Sequence, residues 1–441
     1  MQTVEAVESP AAVPPESARR RASMRQLWVL MATVFVDMIG FTIVLPLLPF
    51  YATRLGAKPS MVGVLISAFA LAQLATSPYW GRLSDRYGRR PMILAGLLLS
   101  AVAYVIFGLA HSLWLLLFSR LVQGIGSGTA GVVQAYVSDS IAPEERAKAL
   151  GWVTAAISAG VMIGPLLGSL ATYLGPTGPG YVAAALCLVN VLSAWRWLPE
   201  SKRQEHGAAS SSQGRRDRSI LAAIGHVLSE PATPVNSLIW IYAVGMMAFM
   251  AMNGVLALYL GKVYGVTERS IGWFYAYVGS ISLVMRAFLL GPAVRRFGEV
   301  GAMRLGLLAL AVGMFGVPLP GGLGVSQPVR LACLALVVLL VPVGTALLFP
   351  SSTALVSRRS ALGETGQVMG VQQAFGGIAR LLGPLWATAV FQLDVRFPFW
   401  LAALFLVGAN FLAARLRRDE RPRDESPEVA ARAEVQAAEK V

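Results

Sequence analysis

The chain has 441 residues, of which 14% are charged, and a mean hydropathy of +0.61. Soluble domains carry about 25% charged residues, so this chain cannot clothe a soluble fold in polar side chains. The formal charge of +14 would suggest nucleic acid on a soluble protein. Here the basic residues lie between long apolar runs, and no basic patch interleaved with aromatics occurs. No nucleic-acid partner is therefore expected, and the charge reads as a topology signal. Cys187 and Cys333 fall inside apolar runs and frame neither a disulfide nor a metal site. No metal and no cofactor are expected.

In chain order, the apolar runs predict twelve membrane-spanning helices. They lie at 27–51, 60–81, 91–110, 112–137, 148–173, 181–198, 235–261, 270–291, 300–318, 329–352, 367–390 and 396–415. A span needs about 20 apolar residues. The first run is longer than a signal-peptide core, so it reads as an anchor. Residues 1–24 and 417–441 are polar and expected to be disordered. Between them the chain divides into a six-helix bundle at 25–199, a linker at 200–234 and a second six-helix bundle at 235–416. In the linker, Ile220, Leu221, Ile224, Val227 and Leu228 recur at helical spacing. That pattern fits an amphipathic surface helix or a plain linker equally well. With the N-terminus cytosolic, and basic residues in the outermost five positions of a span counted with the adjoining segment, the cytosolic segments and tails collect 28 of the 37 Lys and Arg, the outer loops six and the span interiors three. This is the positive-inside pattern, and it predicts both termini in the cytosol.

An internal repeat underlies the two bundles. At an offset of 219, Ser138 falls on Ser357, Glu145 on Glu364, Gly151 on Gly370, and Gly164-Pro165 on Gly383-Pro384. Near the start of each half, Gly56 and Gly63 fall on Gly265 and Gly272 at 209. Gly81, Arg86 and Gly88 fall on Gly291, Arg296 and Gly298 at 210. Six spans per half make this a parallel repeat.

The loop after span 2 reads GRLSDRYGRRP. It contains Gly81, Asp85, Arg86, Gly88 and Arg89. This string resembles the signature loop of the major facilitator superfamily, a twelve-helix all-α membrane fold of two pseudo-symmetric bundles. The resemblance implies a cytosolic gating latch involving Asp85. At offset 210 the counterpart of Asp85 is Arg295, so the second-half loop has lost that acid and an asymmetric latch is expected. Span 4 carries RLVQG, Arg120 to Gly124, similar to the superfamily's R-x-x-Q-G element, which implies a part in proton coupling. Span 5 carries Gly160, Gly164, Pro165 and Gly168. Small residues at every fourth position let helices pack closely, and proline kinks them. The pattern resembles the antiporter motif of the drug:proton export branch, with Ser169 where a second glycine is common. Span 1, with Asp37, Gly40, Pro46 and Pro49, is similar to that of tetracycline-type efflux proteins.

Asp37 is the one acid placed well inside a span, roughly 15 Å past the cytosolic edge. The expectation is a proton-coupled exporter of amphipathic small molecules, with Asp37 as the proton-carrying carboxylate and Arg120 tuning it. Gln123, Asn253, Tyr275 and Arg380 are expected to line the substrate cavity. Arg380 sits too deep to snorkel, which suggests a partly anionic substrate or pairing with helix-end carbonyls. A porter of an organic acid or sugar and a non-transporting sensor are the competing readings; an enzyme is not expected. Partners are then a small-molecule substrate, protons and membrane lipids. The resemblance implies a monomer, placed in the inner (plasma) membrane.

Overall fold

The computed structural model describes residues 16–141, 143–201, 224–231, 233–360 and 364–416. The expectations for 1–15, for 417–441 and for the linker core at 202–223 lie outside the described residues. Among those described the structure is all helical. Ten helical stretches are long and apolar enough to cross a membrane. Large apolar side chains face outward, among them Trp114, Phe288 and Phe411, while Arg120, Gln123 and Gln372 are buried. That inversion of the soluble pattern suits a chain solvated by lipid.

The helices fall into two compact units. Unit 1 comprises 1–47, 71–206 and 268–275. It contains α1 (Glu16–Val44), the second part of α3 (Pro59–Tyr87), α4 (Arg89–Gly108), α5 (Leu113–Gly126), α6 (Ala130–Ser140), α7 (Pro143–Ala171) and α8 (Gly178–Trp197). α1 begins at Glu16, eleven residues ahead of the hydropathic start at Leu27. It packs on α7 and α8, and α4 packs on α5 and α8.

The span expected at 112–137 is broken. α5 ends at Gly126, a 3-10 turn occupies Ser127–Thr129, and α6 resumes at Ala130. Gly124, Gly126, Gly128 and Gly131 weaken the helix there. α3 takes up the freed carbonyls: Trp80 Nε1 donates to Ile125 O (2.6 Å) and Gln73 Nε2 to Ser127 O (3.2 Å). Neither half of the span alone is long enough to cross.

Unit 2 comprises 48–70, 207–267 and 276–441. It holds α2 (Leu48–Arg54), α9 (Pro234–Tyr264), most of α10 (Ile271–Phe288), α11 (Leu290–Gly316), α12 (Gln327–Val338), α13 (Leu340–Arg359), α14 (Thr365–Phe391) and α15 (Phe397–Leu416). α9 starts with Pro234 in its first turn and stops at Gly265, whose left-handed backbone (φ 68°) closes the helix. α9 packs along α14, as α1 packs along α7. Of the expected linker helix, residues 224–229 are helical. Val227 is buried against Ile239, Ala243, Val371 and Phe375.

The repeat has a physical counterpart in each unit. In unit 2, a Cβ on Gly63 would stand 2.7 Å from Pro384 O, and Ser67 Oγ donates to Leu381 O (2.6 Å). In unit 1, a Cβ on Gly272 would crowd Pro165 O and Ser169 Oγ. Gly63 and Gly272 are partners in the repeat, and so are Pro384 and Pro165. Ser169, the departure from the glycine pattern, is engaged here. It donates to Glu268 O (2.7 Å) and accepts from the Gly272 amide (2.8 Å).

Candidate functional site

α1 is gripped on two sides at Asp37. On one side run Gly160, Gly164 and Gly168 of α7. A Cβ on Gly160 would lie 2.7 Å from Phe35 O, one on Gly164 2.8 Å from Ile39 O, and one on Gly168 2.6 Å from Ile43 O. Real Cβ contacts do not reach such distances, so only glycine allows α7 this close to the Phe35–Ile43 backbone. Thr42 Oγ1 adds a tie, donating to Met38 O (2.7 Å) and reaching Gly160 O (3.3 Å). On the other side Gly40 meets Tyr104 of α4. A Cβ there would lie 3.1–3.4 Å from the ring and hydroxyl.

Tyr104 connects the polar groups of unit 1. It is 1% exposed, and its hydroxyl accepts from Gln123 Nε2 at 2.8 Å. It lies within electrostatic reach of Asp37, Arg120 and Cys187. Asp37 is partly buried and makes no hydrogen bond or ion pair with a described residue. Arg120 is 3% exposed and has no acid partner among the described residues. Its guanidinium lies over the Phe107 ring at 5.2 Å, its Nε reaches Ser119 Oγ at 3.4 Å, and Nη2 has no partner among the described residues. A charged side chain at this depth costs roughly 2.5–3.5 kcal/mol even on permissive insertion scales. A desolvated cation–π contact returns about 2 kcal/mol or more, so the Phe107 ring offsets much of that cost. Asp37 and Arg120 form no salt bridge with each other, and the phenol of Tyr104 is within electrostatic reach of both. The sequence marked the acid, the base and the glutamine but not Tyr104. Its available signal was a tyrosine in the middle of an apolar run, whose hydroxyl needs a partner when buried.

At the Gly88 end of unit 1, Arg89 holds two carboxylates: Asp85 Oδ1 at 2.8 Å and Asp139 Oδ2 at 2.9 Å. Its Nη1 also donates to Ser84 Oγ (2.6 Å). Glu200 accepts from the Arg89 and Arg90 amides (2.9 and 3.2 Å), an anion on the first turn of α4. Gly88 is required twice over: its φ is 101°, and a Cβ would lie 2.6 Å from Glu200 Oε2. Arg86 lies over the Tyr87 ring at 5.3 Å. Nothing lies within 4 Å of a Cβ at Gly81.

In unit 2, Gly298 (φ 69°) interrupts α11 as Gly88 separates α3 from α4. The acid that position 295 lacks stands at Glu299, which meets Arg358 at 3.3 Å. Offset 210 carries Arg89 onto Glu299, and offset 219 carries Asp139 onto Arg358. The two ion pairs are equivalent, with their charges exchanged. This refines the expected asymmetry: the acid has moved and the pair persists.

The residues expected to line the substrate cavity fall in both units. Gln123 is sealed beneath Tyr104 in unit 1. Tyr275, half-buried, belongs to the 268–275 segment of unit 1 and sets its ring edge-on to Phe274 at 6.1 Å. In unit 2, Asn253 Nδ2 donates to Phe249 O on its own helix (2.8 Å). Arg380 is half-buried beside Tyr242.

The Major Facilitator Superfamily profile matches residues 30–384, with a further match at 325–440. The chain is 29% identical over 382 residues to "Multidrug resistance protein 2" of Bacillus subtilis (strain 168), covering 86% of this chain and 92% of that protein. It is 30% identical over 402 residues to "Tetracycline resistance protein, class C" of Escherichia coli, covering 88% and 94%. Among solved structures, a point mutant of the peptide transporter POT, in complex with sulfate, aligns with a TM-score of 0.72 at 15% identity, covering 92% of this chain and 98% of that one.

Proposed function

The chain belongs to the Major Facilitator Superfamily, and on that premise we propose that it is a proton-coupled exporter of amphipathic small molecules in which Asp37 carries the proton. The observation that supports this is the setting of Asp37: a carboxylate without a fixed partner among the described residues, on a backbone clamped by the Gly160–Gly168 seam, with Tyr104 in electrostatic reach of both it and Arg120. Such a group gains and loses a proton without breaking a packing contact. The multidrug and tetracycline resistance proteins among its relatives point to efflux of drugs.

The cycle runs by alternating access. Open outward, Asp37 takes a proton and cargo leaves. Open inward, Asp37 releases the proton and cargo binds. Tyr104 and Gln123 hold the carboxylate's surroundings fixed, and Arg120 takes part in the coupling through Tyr104, whose phenol is within electrostatic reach of both charges. Asp85, Arg86 and Arg89 form the cytosolic gate, both termini are cytosolic, and the protein works as a monomer in the inner membrane.

The test is Asp37→Asn in an efflux-deficient bacterium, with a drug-susceptibility panel run with and without protonophore. The variant is expected at wild-type abundance with no resistance above the empty strain. Full resistance that a protonophore still abolishes would sink the assignment. An organic-acid porter is the second reading, favoured by the unpaired Arg380.

A further inference from the structure

Among the described residues of unit 2, Arg380 is a deep cation that the proton cycle does not use. Arg380 lies fifteen residues from Thr365 and eleven from Phe391 on α14, roughly 22 and 16 Å from the two ends. Its side chain cannot reach either end, so lipid headgroups are out of range. It makes no ion pair and no hydrogen bond with a described residue. Between Pro234 and Leu416 the acids are Glu268, Glu299, Glu364 and Asp394, all at helix ends or in connections. Pro384, four residues on, offers no amide to the Arg380 carbonyl, so the helix is also opened at this point.

What surrounds Arg380 is ordered. Tyr242 of α9 lies against the α14 face that carries Gln373, Gly376 and Arg380, its hydroxyl bonded to Gln373 and within electrostatic reach of Arg380. Gly376 makes room for it, since a Cβ there would be 2.8 Å from the Tyr242 ring. Phe349 closes the edge of Tyr242 at 5.5 Å. Met246 is packed with Tyr242 and Ala379, and Met250 lies against the same cluster. Tyr242, Met246, Met250 and Asn253 are spaced to share one face of α9, a stripe of roughly 16 Å. The site therefore pairs one cation and one phenol with a polarizable methionine wall.

We infer that Arg380, Tyr242 and the Met246–Met250 wall form a subsite for amphipathic organic anions, with a carboxylate or sulfonate on Arg380 and the apolar body along α9. A guanidinium at this depth needs an anion, and no described residue of unit 2 supplies one. Methionine and aromatic side chains accept apolar bodies of varied shape, which suits export of many compounds that share an acidic end. This rests on the exporter reading above by naming its substrate class.

The experiment measures binding to the purified full-length protein in neutral detergent. The probes are 1-naphthoate, 1-naphthalenesulfonate and the uncharged 1-naphthamide. Wild type is expected to bind both anions more tightly than the amide. Arg380→Gln should weaken the anions by roughly tenfold to a hundredfold and leave the amide unchanged. Arg380→Lys should retain most of the anion preference, and Tyr242→Phe should lose roughly a fewfold. If Arg380→Gln fails to fold, the phenylalanine variant carries the test. Equal binding of anion and amide by wild type would overturn the inference. So would anion binding insensitive to Arg380→Gln, or, where that variant does not fold, to Tyr242→Phe. Transport by Asp37→Asn and anion binding by wild type and Arg380→Gln are measured separately, so the proton assignment and the subsite fail separately. Lost transport with no anion preference sinks only the subsite; intact transport with an Arg380-dependent preference sinks only the proton assignment.

Discussion

The seam between α1 and α7 makes a quantitative prediction at Gly164. An alanine there would overlap Thr42 Oγ1 and stand 2.8 Å from Ile39 O and 3.0 Å from Thr42 Cβ. The hydroxyl can rotate away, at the loss of its bond to Met38 O (2.7 Å), about 1 kcal/mol. The Ile39 carbonyl is backbone and cannot rotate, so the helices must part by roughly 0.6 Å. Overpacking of this kind costs about 1–3 kcal/mol, giving about 2–4 in all. The displaced residue is two positions from Asp37, so the carboxylate shifts with it. Gly164→Ala should therefore lower stability in detergent unfolding and also impair ΔpH-driven efflux in inverted vesicles. Two controls isolate the cause. Gly81→Ala meets open space and should change neither readout. Gly383→Ala crowds Met247 O at 2.7 Å in the equivalent seam of unit 2, where no acid is near. It should cost similar stability while leaving the proton requirement intact. If Gly164→Ala behaves as wild type, or if Gly383→Ala uncouples transport as fully, the seam does not position Asp37.

Other outcomes follow from the same contacts. Tyr104→Phe removes the acceptor of Gln123 Nε2 (2.8 Å) and should slow proton-driven efflux roughly tenfold at normal abundance, read as initial rates in energised vesicles. Wild-type rates would show that the phenol only fills space. Arg89, 12% exposed and holding Asp85 and Asp139, should cost about 1–3 kcal/mol when replaced by Ala, because it leaves two carboxylates facing each other. Arg358, 75% exposed beside Glu299, should cost under about 1 kcal/mol. Unfolding midpoints of the two variants compare them directly, and equal losses would contradict the burial argument.

Hydropathy and repeat spacing were enough to read the helical class, the two-half architecture and most of the spans, because lipid tolerates only long apolar helices and a duplicated chain repeats its glycines and prolines. Asp37 and Arg120 were legible for a related reason: a charge in an apolar run is conspicuous. Azimuth was not legible. Spacing along one helix does not say which neighbour each face meets. The sequence therefore could not show that Gly160, Gly164 and Gly168 seat the very stretch of α1 that bears Asp37, nor that Tyr104 comes within electrostatic reach of both Asp37 and Arg120. The repeat offsets fixed which positions correspond but not their chemistry. Glu299 and Arg358 exchange the charges of Arg89 and Asp139, and only three-dimensional proximity reveals them as one pair. Packing between helices decided these points, because the distances that matter join residues remote in sequence, where no local periodicity carries the information.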